Sequence, residues 1–420
     1  MKLISFIGMG KYTEVVYCFE DKKPQTTKYI QKAIYGIFKE NIDSILLVYT
    51  NKSKGTNLSD VKNALKEVDV NVKIDELEIS DGFSEDELKK NFTRICSRIE
   101  ENEKIIFDIT HSFRSIPLSA MVICFYLKVL RNVDIYKILY GAVEKLGNMP
   151  KIEEMEVEDR KAPIVDATYL FDIFNWTTSI DYFLKTGNSN GLFDIVNNKF
   201  GSGCRDNEVK RNTKSYIKEI NELNKKITTC RMGGNDENNI NGSIESIKQK
   251  SKYINEMDHE ILNPLFEKVK EKYEFSNNSF ENYIKILDYC LEYNYIQQGY
   301  TILNEIIPTI VLEKIGKKDS INDEDVRDAV SKYLMQKGAD NYKSDKNTEI
   351  FNDTNKDIKK LIDENSDKFL KLGKILRNVK DFRNDINHAG YRKQNQHDYK
   401  KLSCKLKDFI DDLKAVIKDL

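Results

Sequence analysis

Short apolar runs alternate with amphipathic stretches over the first 160 or so residues of this 420-residue chain; beyond them almost every periodic stretch is amphipathic. The runs at 3–7, 44–49, 70–79, 104–107 and 133–140 have the length and composition of buried strands, with a weaker one at 152–157. Helical spacing fills the gaps at 27–38, 58–68, 85–99 and 118–130. Residues 15–19 alternate around Asp21-Lys22-Lys23 and predict a small hairpin ahead of the first helix. Single helices between strands imply parallel pairing with right-handed crossovers, so the first region reads as a Rossmann-like α/β sheet.

The pattern changes at Lys161-Ala162-Pro163. Helical periodicity then recurs at 167–185, 214–228, 244–272, 280–315, 323–337, 354–379 and 398–420. Polar stretches at 186–190, 233–243 and 340–352 interrupt it, the last resembling a mobile loop. The expected organisation is α/β then all-α: a sheet domain over 1–162, then a helical domain over 163–420 with an insertion near 186–243.

Composition narrows the class without choosing a function. Hydrophobic residues at 40% and charged residues at 32% match a folded soluble chain rather than a disordered one. No apolar run is long enough to span a bilayer, and the start of the chain enters a strand without a signal-peptide pattern. Seven scattered cysteines without a CxxC pair read as reduced packing residues, which points to the cytoplasm. A net charge of −1 argues against a generally cationic nucleic-acid binder. From Lys371 to Lys401, however, nine basic residues face three acidic ones.

Candidate chemistry gathers at strand ends. Phe107-Asp108-Ile109-Thr110-His111-Ser112-Phe113-Arg114 breaks from an apolar strand into polar groups, and Pro117 opens the next helix. Strand, polar turn and helix is how an open α/β sheet presents ligand-binding groups at its carboxyl edge. Free N–H groups at the helix start favour an anion, and Arg114 would add a bidentate phosphate contact. Gly8-Met9-Gly10-Lys11-Tyr12 forms a second such end, Thr50-Asn51 a third and Gly141 to Glu144 a fourth. The glycine turn lacks the third glycine of a dinucleotide fingerprint, and no GxxxxGK[ST] occurs. Four polar ends on one edge define a candidate pocket. The competing account of Asp108 is a capped turn in which its side chain bonds nearby backbone.

A second constellation, Arg383-Asn384-Asp385-Ile386-Asn387-His388, lies in the basic stretch. Asn384 and His388 share a helix face, while Arg383 and His388 stand about 140° apart on an ideal helix. A near-neutral His can move protons at a ribose 2′-OH or a leaving oxygen, and Arg can stabilise charge on a phosphorane; neither needs a metal. Four histidines without HxxxH or HExxH give no metal site, and GxSxG is absent. Tyr295, Gln297 and Gln298 are read as polar core positions with hydrogen-bonded amides.

Taken together, these motifs resemble the CARF–HEPN ancillary ribonucleases of type III CRISPR systems, the Csx/Csm group. Asp108-Ile109-Thr110-His111-Ser112 is similar to the Asp-x-Thr-His-Gly/Ser signature of their CARF sheet, with Ser112 where many relatives have Gly. Gly8-Met9-Gly10 with Tyr12 is similar to the first-strand loop, and Arg383-Asn384-x-x-x-His388 to the R-x4-6-H motif of HEPN ribonucleases. The resemblance implies a CARF domain that binds a cyclic oligoadenylate activator through Gly8, Gly10, Tyr12, Thr50, Thr110, His111, Ser112 and Arg114. It implies a HEPN domain that cuts single-stranded RNA without cofactor or metal. Arg383 and His388 of two chains would meet in one cleft, with Asn384 positioning the phosphate, in a homodimer or higher homo-oligomer. His111 would be a hydrogen-bonding ligand group rather than a proton donor. Two alternatives stand beside it: a non-catalytic sensor recruiting a partner through its helical domain, and a nucleotide-binding transcription regulator, for which no helix-turn-helix candidate is visible.

Overall fold

The computed structural model describes residues 1–111, 116–199, 207–234, 238–256, 261–339, 351, 356–391 and 396–419. The chain divides into two compact units, Met1–Phe174 and Asn175–Leu420.

The first unit is built on an eight-stranded sheet. Its strands are β1 (Lys2–Phe6), β2 (Val15–Cys18), β3 (Gln25–Thr27), β4 (Ser44–Thr50), β5 (Lys73–Ile79), β6 (Lys104–Asp108), β7 (Asp134–Gly141) and β8 (Lys161–Asp166). The spatial order is β3-β2-β8-β7-β6-β1-β4-β5. The five strands from β7 to β5 are mutually parallel, as the alternation with helices predicts. The helices are α1 (Ile30–Phe38), a short α2 (Asn51–Ser53), α3 (Ser59–Val68), α4 (Glu85–Cys96), α5 (Ile116–Arg131) and α6 (Met149–Glu154). Successive strand residues point to opposite faces, and both are covered. Leu3, Ile45, Leu47 and Ile106 pack with Ile34, Val61 and Leu65 of α1 and α3. Ile4, Leu46, Val48 and Phe107 pack with Ile95, Ile123 and Leu127 of α4 and α5.

Three features depart from the expectation. The hairpin β2–β3 forms, but β2 also pairs parallel with β8, which runs antiparallel to β7. Residues 152–157 are not a strand. Asn148 accepts the Lys151 N–H and Pro150 stands in the first turn, so α6 forms there, followed by a 3₁₀ turn, and the strand comes later as β8. The first unit consequently extends past residue 162, because β8 and Phe171 belong to its sheet and core.

The second unit is helical. A helix α7 (Thr168–Thr186) enters it, followed by α8 (Asn190–Lys199), α9 (Asn207–Thr228), α10 (Ile240–Lys250), α11 (Asn263–Lys272), α12 (Ser279–Glu292), α13 (Ile296–Lys314), α14 (Glu324–Lys337), α15 (Lys356–Glu364), α16 (Ser366–Asn387) and α17 (Tyr399–Asp419). The stretch 280–315 splits at Asn294, whose positive φ of 58° ends α12. The stretch 354–379 likewise breaks at Asn365, between α15 and α16. Leu192, Val196, Tyr216, Ile220 and Leu223 lie in the same core as the later helices. The described part of 186–243 is therefore integral to the bundle, not an appendage. The expected mobile loop at 340–352 falls almost entirely outside the described residues. Helix α16 packs on α13, α14 and α17. Its approach to α14 is close: a Cβ at Gly373 would lie 2.1 Å from the Leu334 carbonyl oxygen, so only glycine fits.

Candidate functional site

Chain order reverses beside β1: the chain runs β1 to β4 to β5 on one side, then returns to β6 and β7 on the other. An open α/β sheet has its binding crevice at such a switch point, outside the carboxyl ends of the strands. The ends of β1, β6 and β7 are tied together there by hydrogen bonds.

Asp108 closes β6 and is fully buried. Ser5 stands opposite it in register on β1 and donates its Oγ–H to Asp108 Oδ2 at 2.5 Å. Thr110 donates its backbone N–H (3.0 Å) and its hydroxyl (2.5 Å) to Oδ1. The Thr110 hydroxyl oxygen in turn accepts the Gly141 N–H at 2.8 Å, joining β6 to the end of β7. Burial pushes the Asp108 carboxyl up, and the hydrogen bonds from Ser5 and Thr110 oppose that push. Both carboxylate oxygens already have partners, so Asp108 shapes the turn that carries Thr110 and His111.

Tyr12 and His111 form the next layer. Their rings stack at 4.3 Å between centroids, 16° apart, and Tyr29 meets Tyr12 edge-on. The Tyr12 hydroxyl accepts the Gly8 N–H at 2.7 Å and donates to the Gly8 carbonyl at 3.3 Å. A side chain at Gly8 would press on both rings, with 3.1 Å to the Tyr12 oxygen and 3.2 Å to the His111 Cβ. Burial lowers the His111 imidazole to about 4, so it is neutral near pH 7. Its Nε2 is buried and has no hydrogen-bond partner among the described residues. A neutral ring with an unpaired polar atom at a strand end is a hydrogen-bonding group in search of a ligand or water.

Asn57 completes the arrangement; no sequence signal pointed to it. Its amide donates to the carbonyls of Gly8 (2.8 Å) and Gly10 (3.0 Å), fixing the glycine turn. Thr50 is buried and starts the segment that delivers Asn57. Its side chain and that of Ser53 cap each other's backbone in a capping box. Ser5 and Gln31 were missed too; Gln31 donates to the Phe6 carbonyl.

Other expected residues stand apart. Met9, Lys11, Asn51 and Glu144 are exposed, and Lys11 pairs with Glu153 at 3.4 Å. Gly141 is buried against Ile30 and Tyr17, where a Cβ would have no room, so it serves the sheet. Ser112, Phe113 and Arg114 lie outside the described residues.

In the second unit, Arg383, Asn384 and His388 lie at the end of α16. A Schellman closure sets His388 as the C-cap. The Gly390 N–H bonds the Asp385 carbonyl at 3.0 Å and the Ala389 N–H bonds the Ile386 carbonyl at 2.9 Å, with Ala389 at φ +50°. The His388 N–H bonds the Asn384 carbonyl at 3.0 Å. His388 is exposed and Arg383 half-buried, its Nε buried without a hydrogen-bond partner among the described residues. Burial pushes the Cys230 thiol up, and Thr301 and the Arg383 guanidinium oppose that. Gln297, expected in the core, is instead exposed and donates to Asn387 Oδ1 at 3.3 Å. Arg383 and His388 are five positions apart, about 140° around an ideal helix, with His388 at the C-cap.

The sheet unit has the Rossmann-like architecture expected of a CARF domain, with the candidate site at its switch point. Residues 2–144 match the family described as CRISPR system endoribonuclease Csx1, CARF domain, so the sheet unit is similar to the CARF domain of that family. The chain is also similar to the CRISPR-associated protein MJ1674 of Methanocaldococcus jannaschii, with 24% identity over 283 residues. That alignment covers 65% of this chain and 40% of the relative, so the chain spans under half of the relative's length. The CARF match ends at residue 144, before the helical unit begins. No helix among the described residues is long and apolar enough to cross a membrane.

Proposed function

We propose that the CARF site binds a cyclic oligoadenylate and that its occupation activates metal-independent cleavage of single-stranded RNA at Arg383, Asn384 and His388. The observation that carries the sensing half is the neutral, stacked His111 with its unpaired Nε2, set beside the Gly8–Tyr12 turn at the switch point. Such a site offers hydrogen bonds and an aromatic wall to a nucleotide. Ser112 and Arg114 are assigned to the same ligand by the motif they belong to.

The cutting half rests on the motif and on its exposure. His388 is open to substrate at a helix end and can move a proton at the ribose 2′-OH or the leaving oxygen. Arg383 supplies charge for the phosphorane, and Asn384 positions the phosphate. Arg383 and His388 are about 140° apart around an ideal helix, and the complete site takes them from two chains.

A two-fold assembly also suits a symmetric ring, each half meeting the same groups. What supports such an assembly is an exposed apolar stripe on α5, Leu118, Val122, Tyr126 and Val129, at intervals of three and four residues. The ring activates by binding the cutting arrangement more tightly than the idle one.

The test is cleavage of a fluorescent single-stranded RNA in EDTA, with linear or cyclic oligoadenylates of four and six units. The proposal expects cutting with one cyclic species alone. Binding of a ring without cutting would instead support a sensor that recruits a partner through its helical unit.

A further inference from the structure

Asp385 lies between Arg383 and His388 but belongs to neither end of the motif, and it is only 4% exposed. It grips the chain on both sides of the stretch that follows the helix. Its carbonyl accepts the Gly390 N–H at 3.0 Å, and its carboxylate Oδ2 accepts the His397 N–H at 2.9 Å. Gln396, next to His397, donates its amide to the Gly390 carbonyl at 2.6 Å, tying the same two ends to each other. The His397 ring is fixed as well. It stacks on Phe382 at 3.7 Å, 6° from parallel, and its Nε2 lies 3.1 Å from Asp381 Oδ2. Phe382 stacks in turn on the fully buried Tyr300. Asp381, Asp385 and His388 are spaced i, i+4 and i+7, so the braced groups run along the face of α16 that leads to His388. The cap, with Ala389 at positive φ, is closed by backbone bonds, and the buried Asp385 carboxylate adds the tie from α16 to His397 beyond it. The second oxygen of that carboxylate, Oδ1, is buried without a partner among the described residues. Burying an acceptor unpaired costs stability, and such groups concentrate where a site must be held in one geometry.

We propose that Asp385 is a positioning residue of the ribonuclease site: its carboxylate holds the His397 backbone, and with it the Gln396 tie to Gly390, and so fixes the helix end on which His388 stands. The inference rests on the cleavage reading above and adds to it a residue outside the Arg-x4-His motif. Asp385 touches no RNA; it sets where the imidazole sits, and misplacing a catalytic group by about 1 Å costs on the order of 100-fold in rate.

Single-turnover and steady-state RNA cleavage by full-length wild type, Asp385→Ala, Asp385→Asn and Gln396→Ala, each at saturating cyclic oligoadenylate, tests it. Asp385→Ala is expected to lower kcat by about 10- to 100-fold with KM for RNA within about threefold. Asp385→Asn keeps an acceptor for the His397 N–H and is expected to restore most of kcat. Gln396→Ala removes an exposed side chain, leaves folding intact, and is expected to lower kcat by a smaller factor. Wild-type kcat in both Asp385→Ala and Gln396→Ala, or a change confined to KM, would overturn the proposal. If Asp385→Ala fails to fold, Asp385→Asn and Gln396→Ala decide it. Wild type that cuts no RNA with any ring overturns the cleavage reading itself, a result distinct from an active wild type with unaffected variants.

Discussion

The two candidate sites are made in opposite ways. At the sheet edge, three strand ends are cross-linked by hydrogen bonds, from Ser5 to Asp108, Thr110 to Asp108 and Gly141 to Thr110, so the geometry exists before any ligand arrives. At the end of α16, Arg383 and His388 stand five positions apart on one helix, and the histidine is exposed on a cap. On the proposed reading the first site is the input and the second the output, completed by a second chain. A messenger then controls the protein because the second site has an arrangement still to be formed, while the first has little left to arrange.

Breaking the output should cost most. His388→Ala is expected to lower RNA cleavage by about 10²- to 10⁴-fold while leaving binding of the cyclic activator unchanged, read by a cleavage assay beside calorimetry. Loss of binding together with cleavage would mean that the contrast between the sites is false. Next comes completion of the output by a second chain. Val122→Glu places a charge in the exposed α5 stripe and is expected to convert dimers to monomers in sedimentation, with at least about tenfold weaker cleavage. An unaltered dimer would place the interface elsewhere.

The input site has a pH signature. The folded His111 titrates at about 4, below the ordinary value of about 6.5, so the unfolded chain binds the extra proton first as pH falls. Its contribution to stability is therefore present above pH 6.5 and is lost on descent towards pH 4, at most about 3.5 kcal/mol at ~1.4 kcal/mol per pH unit. Hydrogen exchange at the Thr110 and Gly141 amides across that window should show it, and His111→Phe should flatten the dependence. The smallest effect is expected from Asn57→Ala, which releases the Gly8 and Gly10 carbonyls and should weaken activator binding by about 1 kcal/mol, or some fivefold. Equal affinity would make the glycine turn self-supporting.

The same contrast governs what was legible in the sequence. The parallel core was readable because strands buried on both faces become unbroken apolar runs, as in Ile45 to Val48 and Ile105 to Phe107. The α6 region misled because Ile152 and Val157 mimic a strand, while the signals that decide the matter are a cap at Asn148 and Pro150 two residues on. Pairing of β2 with β8 joins residues more than 140 apart, and nothing local announces it. At the input site, Gly8, Tyr12, Thr110 and His111 were readable as polar interruptions of apolar strands. Asn57 and Ser5 were not, because an Asn in a polar stretch and a Ser in a strand acquire meaning only through what folds against them. The α16 motif gave its residues but not their bracing: Asp385 and His397 are twelve apart and join only once the chain has turned back.

The most direct measurement of the central claim is an activation curve: RNA cleavage rate against cyclic oligoadenylate concentration, for wild type and His111→Ala. The account predicts no cutting without the ring, and for the variant a curve displaced to higher activator concentration that reaches the wild-type maximum. Coincident curves, or wild-type cutting that ignores the ring, would contradict it.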